Sequence, residues 1–324
     1  MSKLIVSHSP HEKGSFTVQS VMWNVVIALV PAFIASLYFF GIRALTVTLT
    51  AVISCMIAEA LIQKFLMKQE ISVTDGSAVI TGILLAFNLP SSIPLWQVAT
   101  GSLVAIGIGK MAFGGLGKNP FNPALIGRGF MLISFPVDMT SWPKPIISRM
   151  LYNIPDSITA ATPLGILKEG AASLPSWFDL FIGNIGGSLG ETSAFAIIIG
   201  CIYLLYKKII TWHIPVFYIG TVFIFTGIFY LTNTTEFAHP MFHILSGGAL
   251  LGAVFMMTDM ATSPMTAGGQ IVFAVGGGVI LSVIRLFGAY PEGCMFSILI
   301  MNSLVPIIDK YMKPEKFGTE VNYG

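Results

Sequence analysis

The sequence predicts an all-α membrane protein with about ten transmembrane helices arranged in two halves. Of its 324 residues 54% are hydrophobic, only 10% are charged, and the mean hydropathy is +0.81. Soluble domains carry about 25% charged residues, so this composition indicates a chain in the lipid bilayer. Because 17 basic residues nearly balance 15 acidic ones, we expect no nucleic-acid partner.

Ten apolar windows account for the predicted helices. Six are long enough to cross a bilayer, at residues 21–41, 44–62, 96–113, 188–206, 211–231 and 268–287. Four are shorter or interrupted, at residues 77–95, 122–135, 242–258 and 293–308. Proline and polar residues interrupt the third and the eighth of these ten spans, so we expect broken helices at both places.

The basic residues predict the orientation of the spans. With the N-terminus in the cytoplasm, twelve Lys and Arg lie at or near the cytoplasmic face and five face outward, as short cytoplasmic loops require. The predicted segments are then a cytoplasmic start at 1–20, a first half at 21–135, an external connection at 136–187, a second half at 188–309 and a cytoplasmic tail at 310–324.

A weak internal repeat predicts the relation between the halves. A shift of 170 residues places Pro94 on Pro264 and the stretch 81–87 on 251–257. Because each half has an odd number of spans, the second half is expected to be inverted relative to the first. Segments broken in this way tend to line a central site, which here would include Asn88 and Asp259.

The external connection contains the stretch "DSITAATPLG", residues 156–165. Thr162 followed by Pro163 is typical of an N-cap and a first helical position, so a short helix is expected through Leu167. A helix cap does not explain the residues in front of it, which include Asp156 and Thr159.

These residues resemble the signature at which a flavin transferase attaches FMN, through its phosphate, to a threonine. In that resemblance Thr162 is the acceptor, Asp156, Thr159 and Pro163 support it, and Ala160 stands where glycine is more usual. The stretches "GGLGKNPFNPALIGRGF" (114–130) and "RLFGAYPEGCMFSILIMNSL" (285–304) resemble the RnfD/NqrB family. The similarity runs over nearly the whole chain.

The resemblance implies a fold and a function. The family fold has two inverted five-helix halves like those of urea channels, and the family chain relays electrons within a bacterial inner-membrane complex. That complex couples ferredoxin and NAD⁺ oxidoreduction to Na⁺ or H⁺ movement. The implied partners are RnfA, RnfB, RnfC, RnfE and RnfG, especially RnfG as the second FMN-carrying chain, and the flavin transferase. The family also implies riboflavin as a second, non-covalent flavin, without assigned residues.

Two alternatives remain open from the sequence. An NqrB-type subunit of a sodium-pumping NADH:quinone reductase is the nearer one, although that type carries a longer N-terminal extension. A channel or secondary transporter without flavin is the alternative from another class, since inverted repeats and broken helices suit it equally well. A transporter would make no use of Thr162.

Further candidate site residues lie in the stretch "NPFNPALIGR". Asn122 and Arg128 are candidates for flavin contact, and Arg128 could instead pair with a carboxylate. The other ionisable residues near predicted spans are expected at the membrane interface. They are Glu59, Asp75, Asp259, Arg285 and Glu292.

Overall fold

The computed structural model describes residues 17–145, 159–169, 174–234 and 236–313. Its helices are α1 Val18–Phe40, α2 Ile42–Leu61, α3 Ser77–Phe87, α4 Leu95–Gly107, α5 Pro123–Ser134, α6 Pro136–Met139, α7 Pro163–Lys168, α8 Trp177–Ile182, α9 Ala194–Tyr206, α10 His213–Thr232, α11 Pro240–Leu245, α12 Ala249–Leu251, α13 Ala267–Phe287 and α14 Cys294–Tyr311. Single π-helical turns, Ile62–Leu66 and Gly252–Met256, continue α2 and α12.

Five helical stretches in the described residues are long and apolar enough to cross a membrane. They are Val18–Phe40, Ile42–Leu66, His213–Thr232, Ala267–Phe287 and Cys294–Tyr311. Shorter apolar helices, among them α3, α5 and α9, pack between them. The chain is therefore mostly helical, as a polytopic membrane protein is.

Local sequence explains where the first two helices begin and end. The Thr17 hydroxyl accepts a hydrogen bond from the backbone N–H of Ser20 and caps α1. Gly41, at φ 63°, closes α1 and opens α2. Only glycine adopts this left-handed conformation readily, so the chain turns there between two apolar helices.

The third predicted span is a short helix followed by an irregular segment. A helix that ends inside the protein leaves backbone carbonyls without partners. The carbonyls of Phe87 and Leu89 instead accept hydrogen bonds from the backbone N–H groups of Gly190 (2.9 Å) and Leu189 (3.1 Å). Residues 188–190 are therefore bound to the break, which is why α9 begins at Ala194 and not at the predicted residue 188.

The eighth predicted span is also discontinuous. It consists of α11, α12 and a π turn, and residues 246–248 separate the two helices. The Arg285 guanidinium donates to the free backbone carbonyls of His243 and Ser246 at this break. Both breaks are thus stabilised by groups from elsewhere in the chain, as irregular backbone within a membrane domain requires.

Two short strands lie in the long connection after α6. β1 (Trp142–Pro143) pairs antiparallel with β2 (Thr159–Ala160), so that Trp142 is opposite Ala160. β2 is followed within two residues by α7. The ribbon therefore fixes the backbone directly before Thr162.

Candidate functional site

Thr162 is the N-cap of α7, as the Thr-Pro pair predicts. Its Oγ1 accepts a hydrogen bond from the backbone N–H of Gly165 at 3.1 Å, and Pro163 is the first helical residue. Pro163 and Leu164 are buried and anchor the helix, whereas Thr162 is half-buried. The hydroxyl is therefore held in place at the edge of the protein.

Thr162 lies on the wall of a cavity of about 100 Å³, which we call the Thr162 cavity. The wall is formed by α5, α7, α14, the strand β1, the segments 185–192 and 290–292, and Gly247. Its polar and aromatic lining residues are Arg128, Thr140, Trp142, Thr162, Glu191, Thr192, Tyr290, Glu292 and Phe296. Thr162 and Arg128, two of the residues selected from the sequence, thus share one site.

Arg128 pairs with a carboxylate. Its Nη1 lies 3.2 Å from Glu191 Oε1 and donates to Asn88 Oδ1 at 2.6 Å. Arg128 is 8% exposed and Glu191 is 7% exposed. Asn88 comes from the end of α3, so this cluster joins the α3 break to α5 and to the segment before α9.

A second ion pair reaches the same cavity through Glu292. Arg285 Nη2 lies 3.0 Å from Glu292 Oε1, and Glu292 also accepts from the backbone N–H groups of Gly248 and Cys294. Burial alone would raise the pKa of Glu292, but the guanidinium groups of Arg285 and Arg128 and the backbone N–H groups lower its pKa overall. Glu292 is therefore ionised at neutral pH.

Gly247 is required by the close approach of this ion pair. Its φ is 65°, and a Cβ at this position would overlap a carboxylate oxygen of Glu292. A side chain there would displace the carboxylate. The break between α11 and α12 thus contributes directly to the geometry of the cavity.

Lys168 attaches α7 to the opposite wall of the cavity. Its ammonium group donates to the backbone carbonyls of Gly288 and, at 2.7 Å, Tyr290. Partial burial lowers the pKa of Lys168. The lysine therefore holds the threonine-bearing helix against the turn between α13 and α14.

The other residues of the motif are less completely defined. Thr159 lies in β2, paired with Pro143 of β1. Asp156 lies outside the described residues. The structure thus places the backbone of the motif from Thr159 onward beside the Thr162 cavity.

Asn122 does not join this site. It is the N-cap of α5, where its Oδ1 accepts from the backbone N–H groups of Ala124 and Leu125. It lines a different cavity, the Lys110 cavity, which also contains Asn119 and Asp259. Asn122 and Arg128 occupy different turns of α5 and face two separate cavities.

Sequence reasoning missed the buried partner of Glu59. Lys110 Nζ lies 2.8 and 2.7 Å from the two Glu59 carboxylate oxygens and 2.6 Å from Ser77 Oγ. Glu59 and Lys110 are each 1% exposed, and Arg285 is 4% exposed. Glu59 and Arg285 are therefore enclosed by protein, and their position at the membrane interface stays a prediction. The signal available was a lysine inside an apolar, glycine-rich stretch, "AIGIGKMAFGG".

Comparison with known proteins gives matches over nearly the whole chain. Residues 5–318 match the NQR2, RnfD, RnfE family. The chain is 48% identical over 318 residues to the D subunit of the Na⁺-translocating ferredoxin:NAD⁺ oxidoreductase complex of Acetobacterium woodii, covering 97% of this chain and 95% of the relative. It is 46% identical over 323 residues to the D subunit of the proton-translocating ferredoxin:NAD⁺ oxidoreductase complex of Clostridium ljungdahlii, covering 97% and 96%.

A third relative is more distant. The D subunit of the ion-translocating oxidoreductase complex of Escherichia coli is 35% identical over 347 residues, covering 97% of this chain and 98% of the relative. The match to the family and these three full-length similarities agree. The chain belongs to the NQR2, RnfD, RnfE family.

Proposed function

We propose that this chain is the RnfD-type membrane electron-transfer subunit of an Rnf complex and carries FMN covalently on Thr162. The complex would couple ferredoxin and NAD⁺ oxidoreduction to ion translocation. The observation that carries the proposal is the position of Thr162, the last residue of "DSITAAT", as a half-buried cap on the wall of a cavity that Arg128, Glu191 and Glu292 also line. The full-length similarity to subunits named for this reaction supports it.

The Thr162 cavity would enclose only part of a flavin attached to Thr162. Pockets that enclose a drug-sized ligand are typically about 300–1,000 Å³, whereas the Thr162 cavity is about 100 Å³. The cavity therefore has room for one edge of the group, and the rest of the ring would remain accessible to a partner subunit. Bound FMN supplies the electron-accepting chemistry, and the protein supplies position and electrostatics.

The chain's own residues have separable roles in this proposal. Thr162 supplies the hydroxyl that forms the phosphoester, and Lys168 holds its helix against the cavity wall. Arg128 keeps a positive charge within the cavity, balanced by Glu191 behind it. Asp156, Thr159 and Pro163 would form the rest of the surface that the flavin transferase recognises.

We propose further that the chain has ten membrane segments in two inverted halves with the predicted boundaries. The packing of the helices supports this arrangement. In the first half α2 packs on α3 and α4, and α4 packs on α5; in the second half α10 packs on α11 and α13, and α13 packs on α14. The first long helix of each half, α1 and α9, pack on each other.

The location follows from the same arrangement. Both termini would lie in the cytoplasm and Thr162 on the outer side of the bacterial inner membrane, where RnfG, the other flavin-carrying chain, would exchange electrons with it. RnfA, RnfB, RnfC and RnfE are the remaining proposed partners. The relatives are named for different ions, H⁺ and Na⁺, so similarity does not select the coupling ion.

Three substitutions test the covalent bond. After expression with the transferase, the denatured wild-type chain should fluoresce as a flavoprotein on a gel. Thr162→Ala should be dark and lose about 1 kcal/mol of cap stability. Thr162→Asn should be equally dark although asparagine keeps the cap, which separates loss of the acceptor from loss of the helix. Thr232→Ala, which removes an exposed threonine hydroxyl at the end of α10 and outside the motif, is the control for acceptor identity and should keep the fluorescent band.

The two alternatives make different predictions. A dark wild-type band would favour the channel or transporter, which needs no flavin. Fluorescence together with copurification of quinone-reductase subunits would favour the NqrB-type complex. Copurification with the other Rnf subunits supports the proposal.

We also propose that the chain holds riboflavin as a second, non-covalent flavin, as the resemblance implies. No residues are assigned to it, because the Lys110 cavity, at about 80 Å³, is smaller than the Thr162 cavity and would not enclose a flavin. Riboflavin extracted from purified Thr162→Ala chain, which would carry no covalent flavin, would support this proposal.

A further inference from the structure

The helices α9 and α10 follow each other in the chain but pack against different neighbours. The main contacts of α9 are with α1, and those of α10 are with α13 and α11. A groove of about 620 Å³ remains between α9 and α10, and Ile244 of α11 contributes to its lining. We call it the α9–α10 groove. It lies on the outside of the helix bundle, where lipid or another membrane helix would contact the chain.

The lining of the α9–α10 groove is apolar. Cys201 and Leu205 line it from α9, and Val216, Gly220 and Phe223 line it from α10. A Cβ added at Gly220 would meet no atom within 4 Å, so the space above this glycine is open. An apolar surface of this kind offers no hydrogen bonds and suits a hydrocarbon chain.

Two adjacent positive charges lie in the turn between Leu205 and Trp212, which both line the groove. Lys207 and Lys208 form the turn between α9 and α10, both are exposed, and neither forms an ion pair with another described residue. The turn is well defined, because the N–H groups of Lys207 and Lys208 donate to the carbonyls of Tyr203 and Leu205 at 3.0 Å, and Lys208 has a φ of 54°.

An aromatic residue stands at the same end. Trp212, which lines the groove, is 53% exposed, and its ring stacks on that of His213 at 4.3 Å between centroids. Tryptophan is enriched at the level of the lipid headgroups. The groove therefore passes from an aromatic and basic end into an apolar interior.

We infer that the α9–α10 groove is a binding site for an anionic phospholipid. An acyl chain would occupy the groove over Gly220, and the phosphate would lie on Lys207 and Lys208 beside Trp212. Charge complementarity decides between the occupants, since a phosphate satisfies two unpaired lysines that an apolar partner helix would leave unpaired. This inference concerns a face of the molecule remote from Thr162 and does not depend on the flavin.

The test uses the full chain in its purified complex, titrated with phosphatidylglycerol and followed by native mass spectrometry. Removal of both charges in Lys207→Gln/Lys208→Gln should weaken binding of the tightest phosphatidylglycerol by about 30-fold. The matched control is Lys64→Gln/Lys68→Gln, which removes two exposed lysines from the turn after α2, where Lys68 also has a positive φ. This control should bind phosphatidylglycerol as the wild type does.

A second variant tests the apolar part of the site. Gly220→Phe fills the groove without changing charge and should abolish the tight phosphatidylglycerol. The inference is overturned if phosphatidylcholine binds as tightly as phosphatidylglycerol, or if the Lys207→Gln/Lys208→Gln variant matches its control. It is also overturned if Gly220→Cys cross-links efficiently to another subunit, because the occupant would then be protein.

Discussion

The unfolding free energies of variants at Arg128 and Glu191 show whether Arg128 acts as the partner of Glu191 or as a flavin contact. Arg128→Met leaves a carboxylate, only 7% exposed, without its cation, and removes the 2.6 Å hydrogen bond to Asn88. Breaking a buried pair in this way costs about 3–5 kcal/mol. Glu191→Gln keeps the shape and an acceptor oxygen for Arg128, so we expect a smaller loss of about 1–2 kcal/mol.

The double variant carries the decisive result. Adding Glu191→Gln to Arg128→Met removes the unpaired buried charge, so the double variant should be more stable than Arg128→Met alone. The assay is unfolding of the detergent-purified chain by SDS titration, with the flavin spectrum recorded on the same samples. A double variant less stable than Arg128→Met would refute the ion-pair account. A stable double variant with an altered flavin spectrum would show that Arg128 also acts on the flavin.

Three further outcomes follow from the contacts described. Gly82→Ala should destabilise the chain by about 1–3 kcal/mol, because the added Cβ would lie 2.6 Å from the nearest backbone atom of α2. Gly220→Ala is the control in the same thermal scan and should not lower the melting temperature, because its Cβ would meet open space. Lys168→Gln should release α7 from the carbonyl of Tyr290 and speed amide hydrogen exchange over residues 163–168. The pKa of Glu292 is lowered in the folded chain, so its ion pair stabilises the protein at any pH above the unfolded carboxyl pKa of about 4.3. This stabilisation should be lost as the pH falls through the pKa of Glu292 in the folded chain. In Glu292→Gln the melting temperature should therefore depend less on pH in that acidic range.

The sequence predicted the features that depend on local pattern. The long helices match their apolar windows closely, for example α13 at Ala267–Phe287 against a predicted 268–287. The Thr162–Pro163 pair fixed the start of α7, because capping and the proline ring act within a few residues. The third span is interrupted at Asn88, where proline and polar residues predicted a break, whereas the eighth span is interrupted at residues 246–248, earlier than the predicted stretch that includes Asp259.

The pairings in the site required long-range contacts that no local pattern contains. Arg128 and Glu191 are 63 residues apart, and Lys110 and Glu59 are 51 apart. Hydropathy assigns such charges to span ends, since an unpaired charge in the bilayer is costly. Once a partner is available inside the bundle, that cost falls and the charge is buried.

The proposed covalent bond between FMN and Thr162 is tested most directly by mass. Trypsin should release residues 150–168, between Arg149 and Lys168, as a single peptide that contains the whole motif. In chain matured with the transferase, this peptide should be heavier by one FMN less one water, and fragmentation should place the addition on Thr162. An unmodified peptide, or an addition on Thr159, would contradict the account.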